Sequence, residues 1–152
     1  IMRAALLLIA LALMGCTASS NDPLPVSKDV RLQLGVAYLN KGRLELAKPH
    51  LQAAMKRNPR SLNALFALAQ WHLAANETDS ALSLYQQALS WQPMSGALYN
   101  NYAVALCMAG EWEEALEYFD KVRLDTQYPF QTKSQQNRAR CEKNKGHYAS
   151  QP

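Results

Sequence analysis

Chain-breaking residues are scarce in this sequence, with six glycines and seven prolines in 152 positions. That scarcity excludes a collagen-like repeat and a low-complexity chain. Charged residues make up only 18%, too few to keep so Leu- and Ala-rich a chain unfolded. The longest apolar run, Ala4 to Met14, has 11 residues. As a helix it spans ~16 Å against ~30 Å of hydrocarbon, so it is a poor permanent membrane span. A glycine-rich phosphate loop and a nucleophile motif are both missing. At this length one small domain fits, with no room for a separate catalytic domain.

What the amino terminus does have is one basic residue, Arg3, then that short apolar run, then Gly15-Cys16-Thr17. This pattern describes a signal peptide over 1–15. The ending Leu13-Met14-Gly15-Cys16 resembles the bacterial lipobox. The resemblance implies lipidation of the Cys16 thiol, cleavage before it, and acylation of the new amine. Thr17 stands where an Asp would suggest inner-membrane retention. The implied address is the periplasmic face of the outer membrane, held there by the N-terminal lipid. Loss of Arg3 with the signal peptide leaves a net charge of +3. Residues 16–27 carry two prolines and no apolar period, and read as the lipidated cysteine and a tether of at most ~36 Å.

From Lys28 the chain repeats itself every 34 residues. Ala47, Ala81, Ala115 and Ala149 share that spacing, as do Leu34-Gly35, Leu68-Ala69 and Tyr102-Ala103. Leu51, Tyr85 and Phe119 keep it too, with Pro59 and Pro93, and Ala54, Ala88 and Val122. Small residues at fixed places let two helices approach, large ones fill the gap, and proline ends the second helix. The pattern resembles the tetratricopeptide repeat, a pair of antiparallel helices per unit. It implies an all-α solenoid, a right-handed superhelix of three helix pairs plus a polar C-terminal capping helix. The units fall at 28–61, 62–95, 96–129 and, in part, 130–146, with a tail over 147–152. Turns are expected at Lys41-Gly42-Arg43, around Asn76-Glu77-Thr78 and at Gly110, with N-caps at Asp79 and Ser95. Pro49 should kink the second helix of the first unit.

Charge is segregated along the array. The first unit holds eight basic and two acidic residues, the next two together hold two basic and eight acidic, and the chain from Gln131 has five basic and one acidic. Basic blocks split by an acidic one are a poor match for nucleic acid. His50, His72 and His147 lie in different units, without a Cys or carboxylate at ligand spacing, so no metal site or cofactor is expected. His72 takes the place of Tyr38 and reads as a packing residue. Glu111, Glu113, Glu114 and Glu117 begin a helix, where they complement its dipole. Trp71, Trp91 and Trp112 differ in repeat position and read as packing. Nothing catalytic is indicated, and no small-molecule substrate.

In repeat proteins of this kind the inner surface uses first-helix positions 2, 5, 9, 12 and 13. Here the expected peptide-binding groove is Leu32, Val36 and Leu39, then Phe66, Gln70 and Leu73, then Asn100, Val104 and Met108. Such a strip suits an amphipathic helix or an extended apolar peptide. Repeat proteins that clamp a C-terminal carboxylate use Lys and Asn where Leu32 and Val36 stand, so carboxylate capture is not expected.

Lipobox, tether and repeats together resemble the type IV pilus biogenesis lipoproteins of the PilF/PilW type. The likeness is best over LQLGVAYLNKGRLELAKPHLQAA, LYNNYAVAL and YFDKVRLDTQYP, and members usually carry about six repeats. The resemblance implies a pilotin, which helps the type IV pilus secretin localise and assemble. The alternative is a generic periplasmic scaffold that docks peptidoglycan enzymes or other envelope proteins. Cys107 and Cys141 are 34 apart, so ideal repeats would place them ~9–10 Å from each other, beyond disulfide reach. An oxidising compartment, the irregular Tyr128-Pro129 loop and cysteines near these places in some relatives favour a bridge instead.

Overall fold

The computed structural model describes residues 29–150, and the expected signal peptide, Cys16 and the tether lie outside that range. Seven α-helices follow one another: α1 (Val30–Asn40), α2 (Leu44–Arg57), α3 (Leu62–Ala74), α4 (Thr78–Trp91), α5 (Gly96–Ala109), α6 (Trp112–Lys121) and α7 (Gln131–Ala149). A single 3₁₀ turn, Val122–Leu124, separates the last two. Among the described residues there is no strand.

Local chemistry sets the helix starts. The first helix of each pair opens with a side-chain cap: Asp29, Ser61 and Ser95 accept from the amides of Leu32, Ala64 and Leu98. Each cap satisfies one of the amides a helix start leaves unpaired. The second helices begin without one. Asp79, expected as an N-cap, lies instead in the first turn of α4, and Glu77 holds the cap position with no side-chain bond. From the first turn Asp79 still favours the positive end of the dipole.

Between the helices of a pair, Gly42, Asn76 and Gly110 all adopt positive φ, at 68°, 60° and 83°. They are 34 apart, and Gly and Asn tolerate this conformation best. The next such position is Asn144, and there the chain does not turn. Helix α7 runs straight through it to Ala149, past the expected boundary at 146. Ala149 is therefore exposed at a helix end, and is not the fourth buried small residue its spacing suggested. Lys143 to Gly146 offer no apolar face that would reward folding back.

Packing follows the repeat. Ala47, Ala81 and Ala115 are completely buried beneath Leu51, Tyr85 and Phe119. At Gly35 a Cβ would fall within 3 Å of the Leu51 side chain, so the α1–α2 approach requires glycine there. Leu68 and Tyr102 are buried, whereas Leu34 at the equivalent place is 40% exposed, with no preceding helix against it among the described residues. Trp71 donates its indole N–H to the Leu44 carbonyl at 2.8 Å, and Lys48 Nζ lies 4.3 Å from its ring centroid. Helix α2 is unbroken through Pro49, which is exposed.

Candidate functional site

Helices α1, α3, α5 and α7 lie side by side as the inner layer of the array. Between α1 and α3 they leave an open trough of about 460 Å³. Val36, Leu39, Phe66 and Ala67 form its apolar floor, and Asn40, Asn63 and Gln70 its polar rim. The three amides are exposed, so their donors and acceptors are available to a main chain laid across them. Phe66 is held by Tyr85, with ring centroids 6.2 Å apart. Leu32 is half-buried against the Leu51–Trp71 cluster, beside Val36 and Leu39.

A second hollow of about 210 Å³ lies between α5 and α7. Val104, Met108, Cys107 and Cys141 line it together with Asn137, Arg140 and Asn144. The structure thus gathers Val36, Leu39, Phe66 and Gln70 at one place, and Val104 and Met108 at another. The strip is interrupted between them. Leu73, expected in the groove, is 9% exposed and belongs to the main core with Tyr85 and Tyr102. Asn100, expected on the inner surface, is 6% exposed and accepts a hydrogen bond from Asn137 Nδ2 at 3.1 Å. Helix α7 packs close enough to cover it.

That closeness appears again at the cysteines. Cys107 and Cys141 form a disulfide with their Cα atoms 5.8 Å apart, well inside the spacing of regular repeats. The loop before α7 accounts for the difference. Asp125 accepts from the Gly96 amide at 2.8 Å, and the Gln131 side chain donates to the carbonyls of Val122 and Asp125. The start of α7 is thereby tied to the base of α5. Small inward residues, Ser134 and Cys141, allow the rest of the helix to follow. Its basic outer side meets acidic α6: Arg138 bonds Asp120 at 3.1 Å and Lys145 bonds Glu113 at 2.6 Å.

The histidines are not brought together. His72 bonds Glu77 at 2.7 Å and sits edge-on to Trp71, while His50 stacks on Tyr38 and contacts Arg31. Among the described residues no group of three or more His, Cys, Asp or Glu could hold a metal ion. Asn40 and Asn63 escaped the sequence reading although they occupy inner-surface positions 13 and 2. The contributions of Asn137, Arg140 and Asn144 depend on how α7 docks, which no repeat position signals.

The fold and its inner trough define an array of antiparallel helix pairs. Two tetratricopeptide-repeat family models match, over residues 32–90 and 72–128. The chain is a tetratricopeptide-repeat protein. It is 35% identical over 135 residues to the type IV pilus assembly protein PilF of Pseudomonas aeruginosa, a match over 84% of this chain and 54% of that protein. An uncharacterised Haemophilus influenzae protein is 25% identical over 111 residues, 73% of this chain and 62% of the relative. The solved structure of Pseudomonas aeruginosa PilF superposes with a TM-score of 0.68 at 30% identity, covering 77% of this chain and 54% of that one. A MamA MSR-1 structure, at 21% identity and TM-score 0.58, covers 76% of this chain and 66% of its own and shares the fold. The chain thus spans about half the length of PilF.

Proposed function

We propose that this protein is an outer-membrane lipoprotein of type IV pilus biogenesis. In this reading it is a pilotin, anchored through Cys16, that assists localisation and multimerisation of the pilus secretin. The observation that carries the reading is the 35% identity to PilF across 84% of the chain. The lipobox-like Leu13-Met14-Gly15-Cys16 supports the anchor, and the apolar trough between α1 and α3 supports a protein partner. Binding rather than chemistry is its action: an apolar segment of the secretin seats on Val36, Leu39 and Phe66, while Asn40, Asn63 and Gln70 hold its backbone. Deletion of the gene, followed by complementation, tests the reading. The expected result is loss of heat-resistant secretin multimers and of surface pili, restored by the intact chain and not by a Cys16→Ser variant. Normal multimers and pili in the deletion strain would refute it.

A further inference from the structure

The two hollows of the inner layer differ in one respect. The trough between α1 and α3 has carboxamides on its rim and no cation. The hollow between α5 and α7 has carboxamides and a guanidinium. On α7, Asn137, Arg140, Cys141 and Asn144 recur at helical spacing, which places them on one face. All four line the hollow. Across from them, Val104, Met108 and the Cys107–Cys141 bridge make its apolar side. Met108 is 59% exposed and Val104 half-buried, so this side is open to a ligand.

The charges on this stretch of α7 are used differently. Arg138 is paired with Asp120 and Glu142, and Lys145 with Glu113. Arg140 makes no ion pair or side-chain hydrogen bond with another described residue. No carboxylate lines the hollow, so nothing within it competes for the guanidinium. Size narrows the ligand further. The hollow holds about 210 Å³, below the roughly 300 Å³ at which sites for whole drug-sized molecules begin. A cavity of about 150 Å³ takes one benzene ring. This one has room for a single apolar side chain and a small polar group.

We propose that this hollow binds the end of a partner polypeptide, an apolar C-terminal residue with its free carboxylate. Arg140 takes the carboxylate, whose two oxygens match the paired N–H groups of a guanidinium. The last side chain lies against Val104, Met108 and the disulfide. Asn137 and Asn144 reach the last peptide unit, which offers one donor and one acceptor to their carboxamides. A phosphate group would leave the apolar side unused, a fatty acid would leave the carboxamides unused, and a helix is too wide for the space. A chain end satisfies all three. The bridge, by joining α5 to α7, fixes the distance between the cation and the apolar side. The site is separate from the trough and stands without the pilotin reading.

The test uses the full chain, purified in detergent, and pentapeptides of four glycines and one final residue with a fluorophore on the amine. Anisotropy should report saturable binding when the final residue is leucine or phenylalanine with a free carboxylate. Amidating that carboxylate, or placing glycine last, should each weaken binding about tenfold to a hundredfold. Loss of a charged hydrogen bond or of one buried apolar side chain has that size. Arg140→Gln should bind acid and amide alike, and Arg140→Lys should keep part of the preference. Lys143→Gln, which removes an exposed α7 cation outside the lining, should behave as the unaltered chain. Circular dichroism checks each variant for folding. Equal binding of acid and amide by the unaltered chain overturns the proposal, as does a preference that survives Arg140→Gln. So does octanoate displacing the labelled peptide as well as unlabelled peptide does, or no saturable binding of either apolar peptide at millimolar concentration.

Discussion

Asn137 donates its side-chain amide to Asn100 Oδ1 across 3.1 Å, and Asn100 passes its own N–H to Asn101 Oδ1 at 3.3 Å. This chain of amides joins α7 to the inner face of α5. Asn100 is 6% exposed, so an acceptor deprived of Asn137 is poorly placed to find water. Asn137→Ala should cost about 1–3 kcal/mol, the usual penalty for an unpaired buried polar group. Urea unfolding measures it, and an unchanged midpoint would show that α7 is not held by this contact.

A second fastening lies one helical turn further on. Cys107 and Cys141 close a loop of 34 residues, which by chain entropy contributes about 3–4 kcal/mol. Reduction should lower the thermal midpoint and open α7 before the rest of the array, visible as amide exchange confined to 131–149. Free-thiol labelling of the native, non-reduced protein at both positions would refute the bridge.

The core was legible in the sequence because repeat positions that are buried must be small or large in turn. Ala81 and Tyr85 could be assigned by spacing alone. Ala149 shows where that logic stops. It matches the small position by number, yet α7 never turns at Asn144, because a helix end needs apolar surface beyond it to fold back upon. Asn100 failed for a different reason: its burial is decided by a side chain 37 residues away, and amides carry no periodic signal. Surface charge was legible as composition only. That Arg138 meets Asp120 and Lys145 meets Glu113 follows from how α7 docks.

The Lys145 contact holds the Glu113 carboxyl below its ordinary value of 4.5, chiefly by hydrogen bonding, then through the backbone amide and the cation's charge. A depressed carboxyl stabilises the folded state above its unfolded pKa and loses that effect as pH falls through the lower folded value. Attachment of α7 should therefore be constant above about pH 4.5 and weaken below it. Lys145→Ala should remove part of that dependence, and so should high salt, because the pair is exposed. Amide exchange of α7 in a Cys107→Ser, Cys141→Ser background reads it directly. Identical acid profiles with and without Lys145 would exclude the pair as the cause.

Gly96 begins α5, and a Cβ there would stand 2.7 Å from Tyr128 Cβ and 2.8 Å from its Cγ. Neither atom is the free end of a flexible chain, so the loop itself must move. Gly96→Ala should destabilise by about 1–3 kcal/mol through overpacking, against the small gain alanine usually brings to a helix. Gly146→Ala, where nothing lies within 4 Å, should instead stabilise α7 by roughly 0.5–1 kcal/mol. Denaturant midpoints for the two variants should move in opposite directions; a gain at Gly96 would mean that Tyr128 is not seated there.

Leu39 and Leu73 are the same residue at the same repeat position with opposite fates. Leu39 is half-exposed on the wall of the α1–α3 trough, whereas Leu73 is packed into the main core. Leu73→Ala should therefore lose about 2–5 kcal/mol of stability, the range for a buried leucine. Wherever it remains folded, it should leave partner binding near normal. Leu39→Ala should lose less stability and more function, since burying that side chain under a partner is worth ~1.5–3 kcal/mol, roughly tenfold or more in affinity. Pairing Leu39→Ala with Phe66→Ala removes most of the apolar floor and should abolish heat-resistant secretin multimers while the helical spectrum persists. The contrast between positions 39 and 73 carries the inference, because a general loss of stability would affect multimers most in Leu73→Ala. If Leu73→Ala is the more damaging to multimers at equal folded fraction, the trough between α1 and α3 is not where the partner seats.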